Sequence, residues 1–288
     1  MAQQEKVTTN GGLDPAQHEA ITKHMTHEEH EAAKAAARFG YGPLAHRRGN
    51  QGDVSAFGGE FQPGLFKSPE ARKFANPAPL GLSAFALTTF VLSLINLGTR
   101  GVTGPNIVVA TAYGYGGLVQ LLAGMWEMAV GNTFGATALS SYGGFWISFG
   151  IILTPGGFEI VSSLEALGGT QFLDSFGFFL FGWFIFTTIL LMATLRSTVA
   201  FFLLFFTLDL AFLMLAIGYL VRVDGKPNPM LIQAGGAFGI LAAFLAWYNA
   251  LAGILDDSNS FFVIPVAHFP WSVKGQQQRG AKGDQYTV

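Results

Sequence analysis

Cysteine is absent from this chain. That excludes disulfides, thiolate metal ligands and a cysteine nucleophile, and it removes cysteine usage as a clue to redox compartment. Charge is scarce: Asp, Glu, Lys and Arg together make 12% of the residues. An ordinary soluble domain carries about 25%, so a water-soluble fold of this length would lack charged groups for its surface. The net charge of −2 excludes the basic surface with which nucleic-acid binders neutralise phosphates. No nucleotide loop, metal-ligand set or nucleophile–base pair occurs. No enzyme chemistry, cofactor or metal is therefore expected.

Phenylalanine and glycine are abundant, with 28 and 37 copies among 288 residues, and mean hydropathy is +0.40. Uncharged runs rich in both suit closely packed membrane helices. The first 74 residues are different. They are polar, broken by Gly and Pro, and hold no apolar run, so no signal peptide is expected there. One helix is predicted within them, capped by Asp14, opened by Pro15 and ended before Gly40. His24, His27 and His30 recur every third residue; a solvated helix face is the expected reading, ahead of a metal site. Residues from Arg47 to Phe74 read as a linker.

From Leu80 onward, charge nearly vanishes. A hydrocarbon core needs about 20 apolar residues per helix. Six spans are predicted, near 80–99, 106–130, 136–154, 174–195, 198–221 and 230–254. Backbone groups in lipid must pair within their own segment, so the fold class is an all-α membrane protein. The domain reading is a polar tail over 1–74, a six-helix transport domain over 75–256 and a second tail over 257–288. Six spans put both termini on one side. Lys67, Arg72, Lys73, Arg196 and Lys274 would share that side, against Arg100, Arg222 and Lys226 across the membrane, which favours cytoplasmic termini. "FALTTFVLS" at Phe85 echoes "FIFTTILLM" at Phe184. With three spans per repeat, the second copy would be inverted, the arrangement of many transporters.

Polar residues inside the spans are the functional candidates. "NPAP" (Asn76, Pro77, Pro79) starts the first helix where its N–H groups lack partners anyway. It is either a plain cap or an anion-favouring helix end. Thr88 and Thr89 lie mid-span and either bond the preceding turn or line a polar path, with Phe85, Leu92 and Asn96 at helical spacing nearby. Gln120 falls near mid-membrane, and Glu127 lies deeper than an interface or at it, beside Trp126. Tyr142, before Gly143 and Gly144, needs a hydroxyl partner. Asp209 is near the centre of span five and is either a carboxyl satisfied in helix packing, a protonated group or a proton carrier. Gly235, Gly239 and Ala243, four apart, form a ridge for a helix–helix or subunit contact.

"ANPAPLGL" resembles the signature of the acetate uptake transporter family. "YGGLVQLLAGMWE", "GNTFGATALSSYGGFW", "FFTLDLAFLMLAIG" and "PVAHFPW" follow in family order, covering Asn76 to Trp271. The long polar N-terminus is similar to fungal members. The resemblance implies six helices per subunit in a plasma-membrane homohexamer, each subunit with its own pore. It implies uptake of acetate and related short carboxylates with protons. Passive anion conduction and ammonium export are alternatives, as is a sensor or scaffold acting through the tail. It carries a constriction over to Phe85, Tyr142 and Leu208, and a substrate pathway to Asn76, Pro77, Pro79, Gly81, Thr88, Thr89 and Gln120. Glu127 and Asp209 are the proton-linked candidates, and Asp209 departs from the bacterial pattern. A narrow apolar neck strips hydration from a carboxylate, so an anion crossing it needs a proton or a neutral form.

Overall fold

The computed structural model describes residues 26–29, 31, 74–256 and 258–277. By compactness the chain divides into Met1–Ala75 with Ala129–Gly131, and Asn76–Met128 with Asn132–Val288. In the first unit, Thr26 and Glu29 form a reciprocal cap: Glu29 Oε2 accepts from Thr26 N at 2.8 Å, and Thr26 Oγ1 accepts from Glu29 N at 3.3 Å. The helix start at Asp14, the helix end at Gly40, His24, His30, most of the linker and the bases Lys67, Arg72 and Lys73 lie outside the described residues.

The second unit is built on six helices long and apolar enough to cross a membrane. They are α1 (Ala78–Asn96), α2 (Asn106–Ala129), α3 (Thr133–Leu153), α5 (Gln171–Ala193), α6 (Val199–Leu220) and α7 (Pro229–Ile254). A short α4 (Ile160–Ala166), not foreseen from the sequence, sits in the connection between α3 and α5. The described residues contain no strand, only two isolated bridges. The protein is an all-α, multi-pass integral membrane protein.

Local chemistry sets the helix ends. Asn132, Thr198 and Asn228 cap α3, α6 and α7 with side-chain oxygens that accept from Gly135, Phe201 and Met230 N–H groups. Pro229 occupies the first turn of α7, where it removes no internal bond. At α1 the cap position is Pro77, and Asn76 Oδ1 accepts from Ala78 N at 3.2 Å one residue earlier than expected of a cap.

Helix α2 is not uniform. Residues Gly114–Val119 ("GYGGLV") form a π-helical turn between two α-helical halves. Here Gly116 is required by close approach: a Cβ on it would stand 2.6 Å from Thr88 Oγ1 of α1. The extra residue in a π-turn rotates everything after it, and Gln120 is the first residue beyond.

Helix α7 packs along both α1 and α6, α6 packs on α5, and α1, α2 and α3 pack mutually. The ridge on α7 serves these internal seams. Gly235 faces Leu215 of α6, and a Cβ on Gly239 would fall 2.2 Å from Ser93 Oγ of α1. Helices α3 and α5 meet differently, through rings: Tyr142 lies 5.9 Å from Phe186 and 6.0 Å from Trp183, and Phe145 lies 5.8 Å from Phe179 between centroids.

Beyond α7 the chain folds back onto the α5–α6 turn. Val199 N donates to Ala267 O at 2.9 Å, and Trp271 Nε1 donates to Leu195 O at 2.7 Å. Phe269 packs on Phe202, and Tyr248 O–H donates to Pro265 O. The part of the 257–288 segment described here is thus bound to the helical unit.

Candidate transport pathway

Three helices, α1, α3 and α6, each turn one continuous stripe of side chains toward the inside of the bundle, at spacings of three and four residues. The stripes border two cavities. The larger, about 610 Å3, opens where α1 ends and α7 begins, beside Gly98, Thr103, Lys226 and Pro227. The smaller, about 370 Å3, opens where α1 begins and α5 ends, beside Ala78, Asn132, Thr194 and Arg196. Successive helices run in opposite directions, so these mouths lie at opposite ends of the bundle. We call them the loop end and the tail end.

The order of lining residues along each helix is monotonic. On α1, Leu82 borders the tail-end cavity and Thr89, Leu92, Ser93 and Asn96 the loop-end cavity, while Phe85 borders both. On α6, Phe201, Leu204 and Phe205 lie on the tail side, Ala211, Phe212 and Leu215 on the loop side, and Leu208 borders both. On α3 the tail-end cavity stops at Tyr142 and the loop-end cavity starts at Phe145. Phe85, Tyr142 and Leu208 therefore stand at one level. All three are buried.

The hydrogen bonding of Tyr142 fixes what this level presents. Its hydroxyl lies 2.9 Å from Thr187 Oγ1, and Thr187 donates its one hydroxyl hydrogen to Trp183 O at 2.7 Å. Tyr142 must therefore be the donor. Its O–H is turned into α5, and its ring is packed by Phe85, Phe205 and Phe212, stacked nearly parallel on the last. At this level the partition is apolar.

Polar groups flank it. Gln120 is fully buried on the tail-end cavity, and neither its Nε2 nor its Oε1 has a protein partner. On the loop side, Thr89 Oγ1 and Trp146 Nε1 are likewise buried, unpartnered and in the cavity wall. A buried donor or acceptor without a partner costs about 1–3 kcal/mol. Three such residues on two cavity walls, one above the partition and two below, mark where a polar solute or water is accommodated.

The other sequence candidates separate from this set. Thr88 bonds its own helix at Ala84 O, 2.9 Å away, and abuts Gly116. Asn76 and Pro79 pack against Gly253 of α7, and Gly81 lies against Leu139 and Ala123. Pro77 caps α1. None of these five borders either cavity. Asp209 points between α5 and α6, accepting from Thr188 Oγ1 at 2.9 Å. Glu127 is 1% exposed while its neighbour Trp126 is 53% exposed, so the carboxylate faces inward and the indole outward. It lies behind the tail-end cavity wall, with its Oε2 in the space beside Gly135, and its Oε1 has no partner. Thr187, Trp146 and Gln233 were missed in the sequence. A hydroxyl or amide among apolar residues was the available signal, but its direction on the helix was not.

The model of the GPR1/FUN34/yaaH family matches residues 57–271. The chain is 70% identical over 258 residues to Acetate permease A of Emericella nidulans, covering 88% of this chain and 85% of that one. It is 36% identical over 194 residues to the Succinate-acetate/proton symporter SatP of Escherichia coli, covering 67% of this chain and 96% of that one. Among solved structures it is similar to one described as the bacterial acetate channel SatP, with a TM-score of 0.57 and 34% identity, covering 68% of this chain and all (100%) of that one.

Proposed function

The chain belongs to the GPR1/FUN34/yaaH family, and from that premise we propose that it takes up acetate and related short-chain carboxylates, together with protons. The observation that carries this reading is the pair of cavities that open at opposite ends and meet at Phe85 and Leu208. A small solute has a vestibule on each side and one apolar neck between them. The names of its relatives, an acetate permease and a succinate–acetate/proton symporter, supply the solute class. By the resemblance noted above, the assembly is a homohexamer in the plasma membrane with both termini cytoplasmic, each subunit its own pathway.

In this mechanism Phe85, Tyr142 and Leu208 are the constriction. A carboxylate that leaves water without compensation meets a prohibitive cost in such a medium. Gln120 Nε2 on one side and Thr89 Oγ1 and Trp146 Nε1 on the other are the donors that replace part of its hydration. Dehydration is thereby confined to the short neck. Glu127, behind the wall formed in part by Asn132 and Gly135, is the proton-linked carboxyl. A proton bound there neutralises Glu127 and removes its repulsion of an anion in the tail-end vestibule. Asp209 is a packing group: Thr188 has one hydroxyl hydrogen and two acceptors in reach, Asp209 Oδ1 and Phe184 O at 3.0 Å, so a protonated carboxyl can donate to Thr188 while Thr188 donates to Phe184 O.

A second reading is a passive channel for the same anions. It is favoured by the solved relative, described as an acetate channel. Labelled-acetate uptake into proteoliposomes separates the two. Uncoupler-sensitive accumulation above that of protein-free vesicles, under an imposed proton gradient, is the expected result. Protein-dependent equilibration alone establishes the channel. No protein-dependent acetate flux overturns both readings and moves attention to ammonium, then to a sensor or scaffold role.

A further inference from the structure

Among the described residues, each cavity wall carries a single charged residue, and in both cases it is a base. Lys226 is the one charged group among the described residues lining the loop-end cavity, and Arg196 the one lining the tail-end cavity. No carboxylate among the described residues lines either. We propose that Lys226 and Arg196 are the entry-selecting residues of the two vestibules, each drawing in the ionised carboxylate rather than the neutral acid. This deepens the transport reading above and rests on it for the identity of the solute.

Both bases sit on stiff backbone. Lys226 closes a two-residue hairpin turn: Val223 N donates to Lys226 O at 2.9 Å and Lys226 N donates to Val223 O at 3.0 Å. The central pair, Asp224 and Gly225, has φ of 51° and 75°, the form in which both turn residues adopt positive φ. Pro227 follows and restricts the next position. Arg196 lies between two pinned neighbours. Leu195 O accepts from Trp271 Nε1 at 2.7 Å, and Ser197 Oγ donates to Thr194 O at 2.6 Å. Asp224 shares the turn with Lys226 but does not line the cavity. The ion pair between Arg222 and Asp174, at 2.6 Å, involves neither base.

The chemistry follows from the charge balance. With an ordinary carboxyl pKa near 4–5, about one molecule in a hundred or fewer is the neutral acid at pH 7. A pathway that admitted that fraction alone would need no base at its mouths. A cation in a low-dielectric cleft concentrates the abundant anion instead. The apolar neck then discriminates by size and dehydration, and the bases discriminate by charge before it.

The test uses the full chain in proteoliposomes of known orientation, with flux started from each side. Lys226→Gln is expected to raise the acetate KM for entry at the loop end about three- to tenfold at low ionic strength, with Vmax within about twofold. Arg196→Gln is expected to do the same at the tail end. Lys226→Arg and Arg196→Lys should restore the KM, and raised salt should erase the difference, because exposed charges are screened beyond about 8 Å at physiological ionic strength. Unchanged KM in both neutral variants overturns the proposal. So does equal damage in neutral and charge-conserving variants, which would mark a packing role. A second arm needs no transport. Iodide quenching of Trp146 fluorescence, taken as the difference from Trp146→Phe, should weaken severalfold in Lys226→Gln, while quenching by neutral acrylamide stays the same. Equal iodide quenching with and without Lys226 overturns the loop-end assignment. If the unaltered chain moves no acetate, the transport reading fails while this arm still decides.

Discussion

At the residue scale, two side chains at one level of the pathway have different consequences on truncation. Leu208 borders both cavities, so Leu208→Ala should widen the neck and admit larger dicarboxylates. Competition of acetate uptake by a series of dicarboxylates measures this, and an unchanged series would remove Leu208 from the neck. Buried Leu→Ala changes cost about 2–5 kcal/mol; the low end applies here, because one face of Leu208 already meets empty space. Tyr142 differs, because its hydroxyl is committed to Thr187 and faces away from the cavity. Tyr142→Phe should lower stability by about 1 kcal/mol, seen as a lower Tm in detergent, and leave acetate selectivity intact. Thr187→Val should lose a similar amount, and the double variant less than the sum.

At the element scale, helix α7 depends on small residues where it crosses α1. Gly239 meets Ser93 with no room for a side chain. Gly239→Val should force the two helices apart, costing about 1–3 kcal/mol by overpacking, and should reduce flux because Gly239 also borders the loop-end cavity. A variant with unaltered Tm and flux would show that the seam relaxes freely. The π-turn in α2 has the opposite character. It inserts a backbone irregularity where "GYGG" removes side-chain obstacles, and it sets the direction of Gln120. Neither feature is encoded by hydropathy. The six runs were legible to within a few residues, since lipid solvation of a helix demands about 20 apolar residues whatever the neighbours are. The cap residues Thr198 and Asn228 stood at the foreseen ends. The π-turn was not legible, because it depends on the fit of α2 against α1 and α3.

At the scale of the whole molecule, coupling of solute to protons is the property to test. Glu127→Gln should abolish uncoupler-sensitive accumulation of acetate while sparing equilibrative flux. Asp209→Asn should keep both, because an amide can still pair with Thr188. Parallel accumulation assays under an imposed proton gradient decide this. Full coupling in Glu127→Gln would place the proton on the substrate or elsewhere. Lost coupling in Asp209→Asn would return Asp209 to the pathway. In the sequence both carboxyls were proton-linked candidates, Glu127 toward one end of its span and Asp209 near the centre of its own. Their difference is one of direction: Glu127 abuts the wall of a cavity, whereas Asp209 is directed into a helix seam.

The sequence by itself determined the class of the molecule: few charges, six uncharged runs and polar flanks leave a membrane-spanning helical bundle, because lipid penalises every unpaired backbone group and charge locally, residue by residue. The separated motifs also pointed to the family. Tertiary structure decided which polar residues face empty space. Thr88 and Thr89 are adjacent and chemically identical, yet one bonds its own helix against Gly116 and the other lines a cavity. Successive residues on a helix diverge by about 100°, and only the placement of α2, α3 and α7 around α1 settles which of those directions is inside.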